Sequence, residues 1–136
     1  MKQLKDMILI NNDMLIGDFQ KLFSARYPYL KIEFRQIDTG KKKLRSINID
    51  QATTLKQIKN IGVVNKINIG KNITIGDLTH KLEALLGVII QVFRKCGNVW
   101  NVISLTSEWT LENQNASGLF ISSEMNRKVI NNKKAN

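Results

Sequence analysis

The sequence predicts an α+β fold: a pseudo-two-fold duplication of a β-α-β-β unit, with a mixed or antiparallel sheet and helices on one face. Three observations carry that prediction. Residues 14–36 line up without gaps on residues 73–95, and self-similarity of this kind organises a fold before any local signal does. Within each copy the apolar period changes from 2 to 3.6 and back to 2. A turn signal then follows the second strand of each copy, returning the chain as a hairpin.

The repeat has an offset of 59, with identities at Ile16/Ile75, Gly17/Gly76, Asp18/Asp77, Ala25/Ala84, Phe34/Phe93 and Arg35/Arg94. Its two units span about 7–49 and 66–105. In the second unit, Ile67 and Ile69 alternate with polar residues as in a half-buried strand. Thr74 followed by Asp77 resembles a capping box, and Asp77 complements the positive end of the helix dipole. Ile75, Leu78, Leu82, Leu85 and Leu86 then form an apolar helical stripe, with Gly87 placed to stop it. In the first unit Ile16, Phe19, Phe23 and Tyr27 form the equivalent stripe, closed by Pro28.

The following strands differ. Leu30, Ile32 and Phe34 alternate with Lys31, Glu33 and Arg35, giving one wet face. Val88 to Phe93 is apolar except at Gln91, as in a central or doubly covered strand. On the repeat alignment Phe34 and Phe93 are both core residues facing the helices. Lys95-Cys96-Gly97-Asn98 reads as a tight turn into Val99–Leu105, and Gly40–Lys43 as its counterpart. Thr54–Lys59 fits a short helix with Leu55 and Ile58 inward. Residues 1–120 form one domain, in which 106–120 is a less regular closing segment. Residues 121–136 read as a polar, basic and partly disordered tail. For the second half alone, a ubiquitin-like β-grasp is the alternative.

At 136 residues, with 43% hydrophobic and 24% charged residues, the chain is long enough for one true core and lacks the composition of collagen or a disordered chain. The run Met7–Ile10 is shorter than the roughly 7–15 apolar residues of a secretory signal. Leu85–Ile90 is far shorter than the roughly 20 needed to span a bilayer. A cytoplasmic protein without membrane contact is expected.

The formal charge is +10, from 21 basic and 11 acidic residues. It concentrates in Lys41, Lys42, Lys43 and Arg45 and in Arg127, Lys128, Lys133 and Lys134, leaving the rest nearly balanced. Those clusters are the expected polyanion contacts if the partner is nucleic acid. Lysines outnumber arginines 16 to 5, and lysine also serves plain solubility, whereas arginine favours bidentate phosphate contacts.

Catalytic chemistry finds little material. His80, the one histidine, falls off its helix's apolar stripe and reads as a surface residue. Cys96, the one cysteine, sits at a hairpin tip without a histidine partner. Asp18 and Asp77 start helices, and Glu33, Glu83, Glu108, Glu112 and Glu124 are scattered. No close acid pair, phosphate loop, dinucleotide fingerprint or zinc motif is present. No enzyme activity, cofactor or metal is therefore expected.

The distinctive stretch is Val92-Phe-Arg-Lys-Cys-Gly-Asn-Val-Trp100, followed by Thr106-Ser-Glu-Trp-Thr-Leu-Glu-Asn-Gln-Asn115. In these motifs the chain resembles an uncharacterised family of small bacterial proteins. That family has a Phe-Arg-Lys-Ser-Gly-x-x-Trp hairpin before a Thr-x-x-Trp-Thr-Leu-x-x-Gln-Asn segment. Cys96 at the turn and Asn101 after Trp100 depart from it. The resemblance implies kinship of fold and no mechanism.

Two readings of this stretch follow. Trp100 and Trp109 plug one end of the core, with Gln114 and Asn115 satisfying backbone groups; or Arg94, Lys95, Trp100 and Trp109 form a partner surface. The second gives the expected function, a non-catalytic intracellular protein-interaction module with a protein partner or a homodimer. The alternative is nucleic-acid binding through loop 41–45 and the C-terminal tail.

Replacing Lys41, Lys42, Lys43 and Arg45 by Ser tests these together. Each surface change should move stability by less than about 0.5 kcal/mol, so the melting midpoint should hold within a few degrees. If the loop grips phosphates, oligonucleotide affinity at low salt should fall and its salt slope flatten. Unfolding of the variant would contradict the hairpin-turn placement.

Overall fold

The described residues form ten elements: β1 (Met7–Ile10), α1 (Ile16–Arg26), β2 (Leu30–Asp38), β3 (Arg45–Asn48), α2 (Leu55–Ile58), β4 (Asn65–Asn68), α3 (Ile75–Leu86), β5 (Ile89–Cys96), β6 (Val99–Val102) and α4 (Leu111–Lys134). They belong to a computed structural model that describes residues 6–38, 40 and 45–134. The fold is α+β, and its strand pairs are antiparallel. Instead of one sheet the described residues form two: a four-stranded sheet in the order β3-β2-β5-β6 and a separate β1-β4 ribbon. Because β4 pairs with β1 and not with the strand after its helix, the β-grasp alternative does not arise.

The core lies between the four-stranded sheet, the helices and the ribbon. Ile16, Phe19 and Phe23 of α1 and Ile75, Leu78, Leu82 and Leu86 of α3 are buried with Leu30, Ile32 and Phe34 of β2 and Ile90 and Val92 of β5. Ile8, Ile10, Ile67 and Ile69 close it from the ribbon side. Phe19 meets Phe34 edge-on at 5.6 Å between ring centroids, the arrangement aromatic quadrupoles favour. Tyr27 is buried and donates its hydroxyl hydrogen bond to the Ile69 carbonyl at 2.6 Å, tying the end of α1 to the exit of β4. Burial raises the Tyr27 pKa above its ordinary value, against the opposing charge of Arg26.

Caps form largely as the sequence predicts. Thr74 Oγ1 accepts from the Asp77 amide at 3.0 Å, and Gly87 ends α3 at φ 68°, where a Cβ would be strained. In the first unit Leu15 has no side-chain acceptor. Only the return bond exists there, from the Leu15 amide to the Asp18 carboxylate at 3.2 Å. Leu55 is buried and Ile58 packs against the core from α2.

Both helices are held at their starts by the same backbone pattern. Ile16, Gly17 and Leu55 donate to Thr53, Gln51 and Met14, and Ile75, Gly76 and Leu111 donate to Trp109, Ser107 and Ile73. The gapless alignment fails beyond the helices. The Ile49 amide donates to the Phe34 carbonyl and the Ile103 amide to that of Val92, so Phe34 matches Val92 rather than Phe93. Phe34 is in the core, whereas Phe93 lies opposite Lys31 on the other face. A shift of one residue inverts side-chain direction in a strand.

The C-terminal segment also departs from expectation. Residues 111–134 form α4, in place of an irregular segment and a partly disordered tail from 121. What anchors it is mostly polar, which is why apolar patterning missed it. Leu111 and Gln114 are buried. Asn115 Oδ1 accepts from the Tyr29 amide at 2.8 Å. Ser122 Oγ accepts from Gly97 N at 2.9 Å and donates to Lys95 O at 3.3 Å. At Gly118 a Cβ would stand 2.8 Å from Tyr29 Cβ and 3.1 Å from Lys95 O, so only glycine allows this crossing.

Three alanine substitutions separate these contacts. Gly118→Ala should cost about 1–3 kcal/mol by overpacking. At Gly17 a Cβ would press on Gln51 O at 3.1 Å, while at Gly76 the nearest atom is at 3.5 Å. Gly76→Ala should therefore be neutral or stabilise by up to about 0.5–1 kcal/mol through helix propensity, and Gly17→Ala should not. Denaturant midpoints read all three.

Candidate functional site

Packing of α1, α3 and α4 against one side of the four-stranded sheet leaves the other side uncovered among the described residues. Antiparallel register decides what stands there. Lys31, Glu33 and Arg35 of β2 lie opposite Phe93, Gln91 and Ile89 of β5. Phe93 and Lys95 in turn lie opposite Val102 and Trp100 of β6. Asn48 and Ser46 of β3 lie opposite Arg35 and Ile37.

At the centre of this face one ammonium serves two rings. Lys31 Nζ stands 5.1 Å from the Phe93 centroid and 5.2 Å from that of Trp100. Lys95 Nζ lies 6.0 Å from the Trp100 ring. These distances are within the range where ring quadrupoles attract cations. Lys31 is also 3.6 Å from the Glu33 carboxylate. Arg35 is committed to its neighbours: Nε donates to Ser46 Oγ, Nη1 to Asn48 Oδ1 and Glu33 Oε2, and Nη2 to the Ser46 carbonyl. It braces β3 onto β2. Among the described residues the face thus carries Lys31, Lys95 and Arg35 against one carboxylate, Glu33, which both Lys31 and Arg35 approach.

The residues expected to form one partner surface do not share a side of the sheet. Lys95 and Trp100 are on the open face. Arg94 points to the opposite side, where Nη1 donates to Gln114 Oε1 at 3.0 Å. There Gln114 Nε2 donates to the carbonyl and hydroxyl of Thr106, so Arg94 belongs to the attachment of α4. Trp109 lies in the loop before α4, with 41% of its surface exposed. Neither tryptophan is among the buried core residues, so neither plugs the core. Gln114 and Asn115 do bond backbone groups, but from a helix.

Of the expected polyanion contacts, Lys41, Lys42 and Lys43 lie outside the described residues. Arg45 is exposed at the start of β3. Arg127 is exposed on α4 but held by Glu124 at 2.7 Å, and Lys128 is exposed beside it. His80 is exposed, and Cys96 is half-buried. Among the described residues no three His, Cys, Asp or Glu side chains group as a metal site, and no helix is long and apolar enough to cross a membrane. A cleft of about 480 Å³ runs along the β2 edge, between Lys31–Phe34 and Asn48–Gln51. Gln20 Nε2 donates there to the Ile32 carbonyl at 2.9 Å.

Sequence reasoning missed Lys31, and it placed Phe93 in the core instead of on this face. The signal was the alternation Leu30-Lys31-Ile32-Glu33-Phe34-Arg35, which sets Lys31 outward, yet nothing local reveals the ring pair across the strand. No protein-family model, curated protein or solved structure matches the chain.

Lys31→Gln should cost about 0.5–1 kcal/mol, the size of an exposed cation–π contact. In a Trp109→Phe background it should also change the emission of Trp100. Unchanged stability together with unchanged emission would contradict the shared contact.

Proposed function

We propose that this chain is a non-catalytic binding module, acting inside the cell, whose recognition surface is the open face of the four-stranded sheet. The observation that supports it is the Lys31–Phe93–Trp100–Lys95 cluster, two rings and two cations on a sheet side against which no described helix packs. Aromatic residues are enriched where binding energy concentrates. The described groups of the face are amines, a guanidinium, one carboxylate, amides, rings and the Ser46 hydroxyl, which accepts a hydrogen bond from Arg35 Nε. The expected partner surface is kept for Lys95 and Trp100 and exchanged at Arg94 and Trp109 for Lys31 and Phe93.

Duplication of an ancestral β-α-β-β unit is part of the same proposal. It is supported by the matching backbone bonds at the starts of α1 and α3 and by the retained Ile-Gly-Asp triplets at 16–18 and 75–77. So is kinship with the small bacterial proteins that carry the same hairpin and tryptophan motifs.

Affinity capture from the native host tests the surface. A Phe93→Ala/Trp100→Ala variant should lose what the wild type retains, whether protein or nucleic acid. Val63→Ser, in a loop position 79% exposed, should lose nothing. Light scattering on the same samples shows whether the partner is a second copy. Identical capture and assembly by all three proteins would overturn the reading.

A further inference from the structure

Resting on that reading of the open face, we propose that its partner is single-stranded nucleic acid, with bases stacked on Trp100 and Phe93 and phosphates held by Lys31 and Lys95. Three features of the face converge on this ligand. The rings come from adjacent antiparallel strands, Phe93 opposite Val102 and Trp100 opposite Lys95, which makes them diagonal neighbours. Diagonal positions stand about 7–8 Å apart, a spacing that successive splayed bases of one strand can bridge. Every base has a π-face, so two such platforms need no particular sequence.

Charge is the second feature. Lys31 and Lys95 face one carboxylate, Glu33, while Arg35 is held by Ser46, Asn48 and Glu33. A chain of net charge +10 adds a long-range attraction for polyanions. An acidic peptide would match the lysines but leave the two rings without stacking partners.

The third feature is Lys31 itself. Its ammonium stands at almost equal distance from both rings, so it occupies the place that an incoming base takes. Stacking of a base moves the ammonium aside, toward the phosphate next to that base. The same lysine therefore covers the rings in the free protein and binds the backbone in the complex. A four-stranded antiparallel sheet with helices behind it and aromatics on its open face is also a recurrent arrangement for single-stranded RNA.

The experiment uses the full chain with Trp109→Phe, so that emission reports Trp100 alone. Labelled single strands of about ten nucleotides, within the usual site sizes, are titrated as RNA and as DNA, with duplex of equal length as competitor. Binding at low salt with quenching of Trp100 is expected, and the two single strands show whether RNA or DNA is preferred. Phe93→Ala and Trp100→Ala should each weaken affinity about tenfold. Lys31→Gln/Lys95→Gln changes half-exposed side chains and retains the fold if either ring variant does not. It should flatten the slope of log K against log salt by about 1.4, two phosphates at about 0.7 each.

Absence of single-strand binding at low salt overturns the proposal. If capture by the Phe93→Ala/Trp100→Ala variant is still impaired in that case, the open face stands as a protein surface. If capture is intact, both readings fall. Duplex competing as well as single strand, or ring variants that fold and bind like the parent, overturns stacking in favour of plain charge attraction.

Discussion

The register between β2 and β5 is the constraint from which the other features follow. Leu30 opposite Arg94, Ile32 opposite Val92 and Phe34 opposite Ile90 put those side chains on the helix side. The intervening pairs, Lys31 with Phe93 and Glu33 with Gln91, must then face the other way. A slip by one residue would exchange the two sets and carry Phe34, which is 1% exposed, to the surface. Loss of aromatic burial on that scale makes the register unambiguous. The same choice that builds the core therefore assembles the open face, without any contact between the two.

The α4 helix completes the division of the sheet into two sides. It crosses the end of β5 at Gly118 and grips the β5–β6 turn through Ser122. Gln114, buried and bonded to both Arg94 and Thr106, turns a charged strand residue into part of the attachment. Buried polar groups are costly unless satisfied: both amide atoms of Gln114 are bonded, whereas Arg94 Nε is buried without a partner among the described residues. The guanidinium is thereby kept from the surface where Lys95, its immediate neighbour, is displayed.

The two halves of the chain meet at the candidate site. Lys31 comes from the strand after α1, whereas Phe93 and Trp100 come from the hairpin after α3. Among the described residues neither half alone contains an ammonium between two rings. Tyr27 joins the halves on the opposite side of the core, through its bond to Ile69. The central strand pairing thus brings together positions that lie in different halves of the chain.

The sequence by itself determined the elements whose apolar residues recur with a regular period. The stripes of α1 and α3, the wet alternation of β2, the caps at Thr74 and Gly87 and the one-turn α2 were all legible, because each depends on residues close in the chain. Only the tertiary structure decided three other matters. Phe93 was assigned to the core by analogy with Phe34, and the strands turned out to match one residue out of step with the helices, which reversed it. The helix beyond 111 was invisible because glycine and polar side chains anchor it, and their partners, Tyr29, Arg94 and Lys95, are distant in sequence. The pairing of Lys31 with two aromatic rings is a property of strand register. Register is fixed by the summed burial of the core and not by any residue of the site.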